Sequence, residues 1–223
     1  MVDYIKLAEQ CFKENKFEDG LKYLLVSAKE QNDPRGQREL ASCYLNGKGT
    51  VRNLQEALRW YIKSADNGDI SSLLWCGYTY YLLTDYAKAL EYFYQSAKYD
   101  DINALFFIGH FYKHGLACEK SEKDAFKWHL KAAEKGQDSS QEYVGIAYYE
   151  GRGVEINYNA AVRWLMAAKE SGSPDVLYYL GLCYENGYIE NEPKEMSIEL
   201  FKEAAENGHI IAQYKLGSIY LNS

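Results

Sequence analysis

One tyrosine recurs along this chain at Tyr44, Tyr80, Tyr112, Tyr148, Tyr184 and Tyr220, spaced 36 residues apart except for a single interval of 32. A period of that length marks one supersecondary unit, repeated and stacked so that neighbours bury a face none could bury alone. Three residues before each tyrosine stands Ala41, Gly77, Gly109, Gly145, Gly181 or Gly217, and just before that the apolar Leu40, Cys76, Ile108, Val144, Leu180 or Leu216. Four residues earlier the side chain is small in most copies: Gly36, Ser72, Ala104, Ser140, Val176 and Ala212. At about 100° per residue these positions share one sector of a helix, the small ones allowing close backbone approach. They define the packed face of a first helix, A.

Sixteen residues after the tyrosine comes a second column, Trp60, Trp128, Trp164 and Leu200, each followed four residues on by Ser64, Ala132, Ala168 or Ala204. This reads as a second helix, B, with a large knob and a small hole. Gly47, Gly49, Gly115, Gly151, Gly153 and Gly187 separate the two helices, where a left-handed residue is needed to end helix A. Helix B opens at caps such as Asn53 with Glu56, Ser121 with Asp124, or Pro193 in a first turn, and closes at Gly68, Gly136, Gly172 or Gly208. Asp33-Pro34 and Ser173-Pro174 open the next helix A. Residues 70–100 use a shorter connection, Tyr80 to Tyr92, and residues 3–31 match this short form, with Asn15-Lys-Phe17 parallel to Thr84-Asp-Tyr86. The expected fold is all-α, with six helix pairs at about 3–31, 34–68, 70–100, 102–136, 138–172 and 174–208. A capping helix within 209–223 follows, and residues 1–223 form a single repeat domain without strands.

The residues in the pattern A-x-x-x-L-G-x-x-Y-x-x-G-x-G-V, followed by K/E-A-x-x-W and A-A-x-x-G, resemble the Sel1-like repeat, a relative of the tetratricopeptide repeat. The fullest copies are 140–172, where V-G-I-A-Y-Y-E-G-R-G-V and A-V-R-W stand intact, and 36–68. The resemblance implies a right-handed α/α superhelix, or solenoid, and a non-catalytic scaffold or adaptor that binds another protein in its concave groove. Two alternatives come with it: an immunity protein that neutralises a cognate bacterial toxin, and a hydrolase. The hydrolase label belongs to a secreted branch with paired cysteines in each repeat, which this chain lacks.

Composition narrows the partners. With Lys+Arg 25 against Asp+Glu 32 and a net charge of −7, the chain lacks the cationic field that draws a phosphate backbone, so nucleic acid is not expected. The longest apolar stretch, Leu73 to Leu83, is too short to span a bilayer, and no membrane insertion is expected. The first residues carry no apolar leader, and Cys11, Cys43, Cys76, Cys118 and Cys183 are odd in number and unpaired in spacing, so a cytoplasmic location is expected.

The side of helix A opposite its packed sector should line the groove. In the first two repeats that side carries Ile5, Glu9 and Phe12, then Arg35, Arg38 and Leu45. The third and fourth give Leu74, Tyr78 and Tyr81, then Phe106, His110 and Lys113. Glu142, Ile146 and Tyr149 follow, then Tyr178 and Glu185, and finally Tyr214. Aromatic side chains on a face outside the core suit protein recognition, offering large contact area at small entropic cost. Packing between successive A helices is the competing use for them. Arg35 and Arg38 could grip an acidic partner or form a solvated charge pair. Exposed Ile210 and Ile211 raise self-association through the C-terminal end.

Chemistry finds little support. No strand precedes the Gly-x-Gly pieces and no G-K-[ST] follows, so no nucleotide or other cofactor is expected. The nearest approach to a metal set is His110 and His114, one turn apart, with Cys118 beyond Gly115. A third ligand would have to come from a loop, and no metal is expected. There is no G-x-S-x-G, and His129 and His209 have no Ser or Cys placed by the repeat to meet them. No enzymatic activity is expected.

Overall fold

The computed structural model describes residues 2–189 and 193–221, and among them every regular element is helical. The A helices are α1 (Tyr4–Lys13), α3 (Pro34–Asn46), α5 (Ser71–Leu82), α7 (Ile102–His114), α9 (Asp138–Glu150), α11 (Pro174–Glu185) and α13 (Ile210–Leu221). The B helices are α2 (Phe17–Lys29), α4 (Leu54–Asp66), α6 (Tyr86–Ala97), α8 (Glu122–Glu134), α10 (Tyr158–Ala167) and α12 (Met196–Glu206). The chain divides into two compact units, 1–104 and 105–223, parted in the first turn of α7.

Local chemistry sets the helix ends. Asn53, Ser121 and Asn157 each accept a backbone N–H three residues on, at 3.0–3.1 Å, satisfying a donor the first turn leaves over. Asp33 caps α3 through the Arg35 N–H with Pro34 in the first turn. Pro193 differs from expectation: α12 starts only at Met196, whose N–H bonds the Pro193 carbonyl, so the proline sits in a turn before the helix. Gly151 ends α9 at φ 76°, and Gly153 takes φ 71° where its Cα passes the Glu122 carbonyl so closely that a Cβ would collide with backbone.

Each unit has its own core. In the first, Leu24, Leu40, Tyr61 and Cys76 are buried together; in the second, Leu165, Val176, Leu177 and Leu180. Within a pair, helix B closes over the glycine of helix A. A Cβ added at Gly77 would lie 2.7 Å from Phe93, at Gly145 2.8 Å from Leu165, and at Gly181 2.5 Å from Phe201. The knob is therefore not the tryptophan column but the residue after it. Tyr61, Phe93, His129, Leu165 and Phe201 are all buried, whereas the tryptophan column is uneven, with Trp60 and Leu200 buried and Trp128 and Trp164 only half-buried. Both neighbours are apolar in most repeats, and the angle at which the two helices cross selects the second.

The tyrosine column is likewise uneven. Tyr184 is buried, Tyr44, Tyr80, Tyr112 and Tyr148 are half-buried, and Tyr220 is exposed. Along α13 a Cβ at Gly217 would meet nothing within 4 Å, so the packed sector of this helix carries no knob at that position.

Candidate functional site

The second unit contains a cavity of about 350 Å³ on its A helices. α7 contributes Phe106, His110 and Lys113, α9 contributes Glu142 and Tyr143, and Asp175 comes from the start of α11. His129 from α8, Ser139 and Ile146 from α9, and Arg152 from the turn after α9 also line it. Five groove residues expected from the sequence, Phe106, His110, Lys113, Glu142 and Ile146, thus meet at one place.

His129 forms the floor. Its ring lies against Gly109, 4.3 Å from the Tyr143 ring centre and 5.6 Å from that of Phe106. Nδ1 stands 3.0 Å from the Ser140 hydroxyl, so a serine does meet this histidine, contrary to the expectation from the sequence. The eleven-residue step from the knob to the small position of the next helix A brings them together. Ser140 is fully buried, which withholds its hydroxyl from any substrate. Burial pushes the His129 imidazole down to about 3, reinforced by Lys113, His110 and His114 nearby. It is neutral at pH 7, and its Nε2 has no hydrogen-bond partner among the described residues.

Charge around the cavity is mixed. Lys113 Nζ lies 5.2 Å from the centre of the Tyr143 ring. Burial raises the Glu142 carboxyl above the usual range against a hydrogen bond from Ser173, with Asp175 adding repulsion. Asp175 lies 3.2 Å from His209 Nε2. Arg152 forms an ion pair with Glu150, its Nε 2.6 Å from the carboxylate, and Glu150 accepts a hydrogen bond from Tyr179.

The remaining face residues fare differently. Ile5 and Leu45 are buried rather than groove-facing, and Ile146 is buried although it touches the cavity wall, because successive A helices touch: α1 with α3, and α9 with α11. Arg38 is committed within the chain, holding Asp69 through both carboxylate oxygens at 3.1 and 3.0 Å and Glu39 at 3.2 Å; Arg35 stays exposed. Tyr149 packs edge-on against Tyr158, Tyr179 and Tyr188, and Tyr178 stacks on His209 at 4.3 Å. Glu185 pairs with Lys215 at 2.7 Å. In the first unit, Leu74 on α5 is half-buried and Tyr78 stacks on Tyr81; in the second, Tyr214 on α13 is 80% exposed. The rings of His110 and His114 are 4.4 Å apart, yet no group of three or more metal-ligating side chains, Cys118 included, gathers among the described residues.

His129, Tyr143, Ser139 and Arg152 line the cavity without having been singled out as groove residues. The signal for His129 was present: a polar residue in a column otherwise occupied by Tyr61, Phe93, Leu165 and Phe201.

A helix-pair array of this kind defines an α/α repeat protein. The Sel1 repeat model matches residues 34–69, 72–98, 102–137, 138–173, 174–209 and 210–223, and the chain belongs to the Sel1-repeat family. Among solved structures it is similar to c5321, described as a protective antigen present in uropathogenic Escherichia coli strains and displaying an SLR fold. That match has a TM-score of 0.88 at 22% identity and covers 97% of this chain, which spans about half (48%) of c5321. A Sel1 repeat protein from Oxalobacter formigenes gives a TM-score of 0.77 at 26% identity, covering 99% of this chain and 89% of that one. No curated protein matches the chain. Sel1-repeat proteins generally mediate protein–protein interaction on a scaffold that is generally non-catalytic. No helix among the described residues is long and apolar enough to cross a membrane.

Proposed function

We propose that this protein is a non-catalytic adaptor that binds a partner protein through the A-helix face of its second unit. The observation that carries this reading is the convergence of Phe106, Lys113 and Glu142, from two successive A helices, on one open cavity. An aromatic flanked by opposite charges can supply both contact area and a preferred orientation for the partner. A cytoplasmic setting belongs to the same proposal, supported by five free cysteines, three of them buried.

The test is capture of binding proteins by the purified chain and by a Phe106→Asp/Glu142→Lys variant of unchanged helicity. Loss of the captured set in the variant is the expected result, and an identical set would overturn the reading. One stoichiometric, enzyme-like partner at nanomolar affinity would turn the adaptor into an immunity protein; several weaker partners would keep it an adaptor.

A further inference from the structure

A buried donor without an acceptor is costly, and the repeat offers an inexpensive way to avoid one at this position. Where the knob is Phe93, Leu165 or Phe201, the residue eleven positions on is Ala104, Val176 or Ala212, and both members are apolar. Only the pair His129 and Ser140 places an imidazole there. The Ser140 hydroxyl has no other acceptor among the described residues, so it donates to Nδ1 and leaves the proton on Nε2. That N–H is buried and packed against Gly109, in a residue that is 3% exposed and lines the cavity.

The ligand must therefore bring an acceptor, and its charge follows from the neighbours. Lys113 forms no ion pair among the described residues and lies over the same Tyr143 ring that His129 packs against. Of the two carboxylates on the wall, Asp175 is held by His209, while Glu142 is hydrogen-bonded to Ser173 and disfavoured as an anion by its burial. We infer that His129 Nε2 and Lys113 Nζ form a subsite for a carboxylate, supplied by a free small acid or by an acidic residue of a bound protein. A volume of about 350 Å³ holds a short-chain acid or one acidic side chain with its backbone. In the second case the inference deepens the adaptor reading and rests on it; in the first it stands alone.

The test uses the full chain with ¹⁵N-labelled imidazoles, titrated with sodium succinate or with the blocked peptide acetyl-Gly-Asp-Gly-amide, against sodium chloride at matched ionic strength. A saturable shift of the His129 Nε2 resonance is expected, weakened at least about tenfold in Lys113→Met. Succinate alone producing it identifies a free acid; tighter binding of the peptide identifies an acidic protein segment. In parallel, succinate should raise the melting temperature of the wild type but not of His129→Phe/Ser140→Ala, which copies the pair Phe201 and Ala212 and so retains the fold. No saturable shift, an equal response in the double variant, or a response to ethylammonium chloride in place of the acids would overturn the inference. None of these results depends on partner capture, so the subsite and the adaptor reading can fail separately.

Discussion

Two helix pairs of the second unit close in the same way and differ in what they enclose. In α9 and α10, Leu165 sits over Gly145 and continues into Val176, Leu177 and Leu180 as an unbroken apolar core. In α7 and α8, His129 occupies the same place over Gly109, but its residue also lines a polar cavity. The backbone approach is alike in both, 2.8 Å from a built Cβ to the knob. One repeat geometry therefore accommodates either an apolar core residue or a polar residue at a cavity wall, and the side chain alone decides which.

The largest effect should come from emptying the apolar version. Leu165→Ala is expected to cost ~2–5 kcal/mol in denaturant unfolding, because neighbours so tightly packed cannot collapse into the space. Trp164→Ala removes a larger side chain but should cost less than Leu165→Ala. That ring is half-buried, lies under Arg163 at 5.2 Å and holds an Nε1 without a partner. The opposite ranking would return the knob to the tryptophan column.

That ranking also shows what the sequence carries and what it does not. The period, the thirteen α-helices among the described residues and caps such as Asn53 and Ser121 are legible because each is written in local spacing. Which of Trp164 and Leu165 enters the groove of helix A is not local: it depends on the crossing of two helices, and both side chains are large enough to fill it. The face residues divide for the same reason. Ile146 and Tyr149 lie one turn apart, yet the first is buried in a core shared with α11 while the second packs among tyrosines at the rim. The cavity stayed hidden because its members come from different repeats and each looks ordinary in its own.

A second expectation concerns pH. His129 titrates at about 3 when folded and at 6.5 as a free side chain, so folding releases its proton. The sign follows from linkage. Its contribution to stability is fully present above about pH 6.5 and is lost as pH falls toward about 3, by up to ~1.4 kcal/mol per pH unit. His129→Phe/Ser140→Ala should lack this slope, and subtracting its stability curve from the wild-type curve cancels the carboxyl groups common to both. A flat difference between pH 6.5 and 4 would mean that the imidazole is solvated after all.

At neutral pH the same double variant should be as stable as the wild type or more so, by ~1 kcal/mol, since it removes an unsatisfied buried N–H and restores an apolar pair. Guanidinium unfolding at pH 7.5 checks this. A loss of several kcal/mol would show that the polar pair supports the fold rather than a ligand.

The smallest effect sharpens the comparison at its third term, α13. Gly181→Ala should be strongly destabilising, because the new methyl would stand 2.5 Å from the Phe201 ring and neither helix can withdraw without opening the pair. Gly217 holds the equivalent position, but a methyl there meets nothing within 4 Å. It lies in the interior of a regular helix, where alanine is favoured over glycine by ~0.8–1.0 kcal/mol. Gly217→Ala should therefore raise the melting temperature slightly. The same substitution at the same repeat position would then have opposite signs, and the presence or absence of the knob would be the cause. If both variants were destabilised alike, some surface would have to cover Gly217 in solution, and concentration-dependent melting would reveal a second copy as its source.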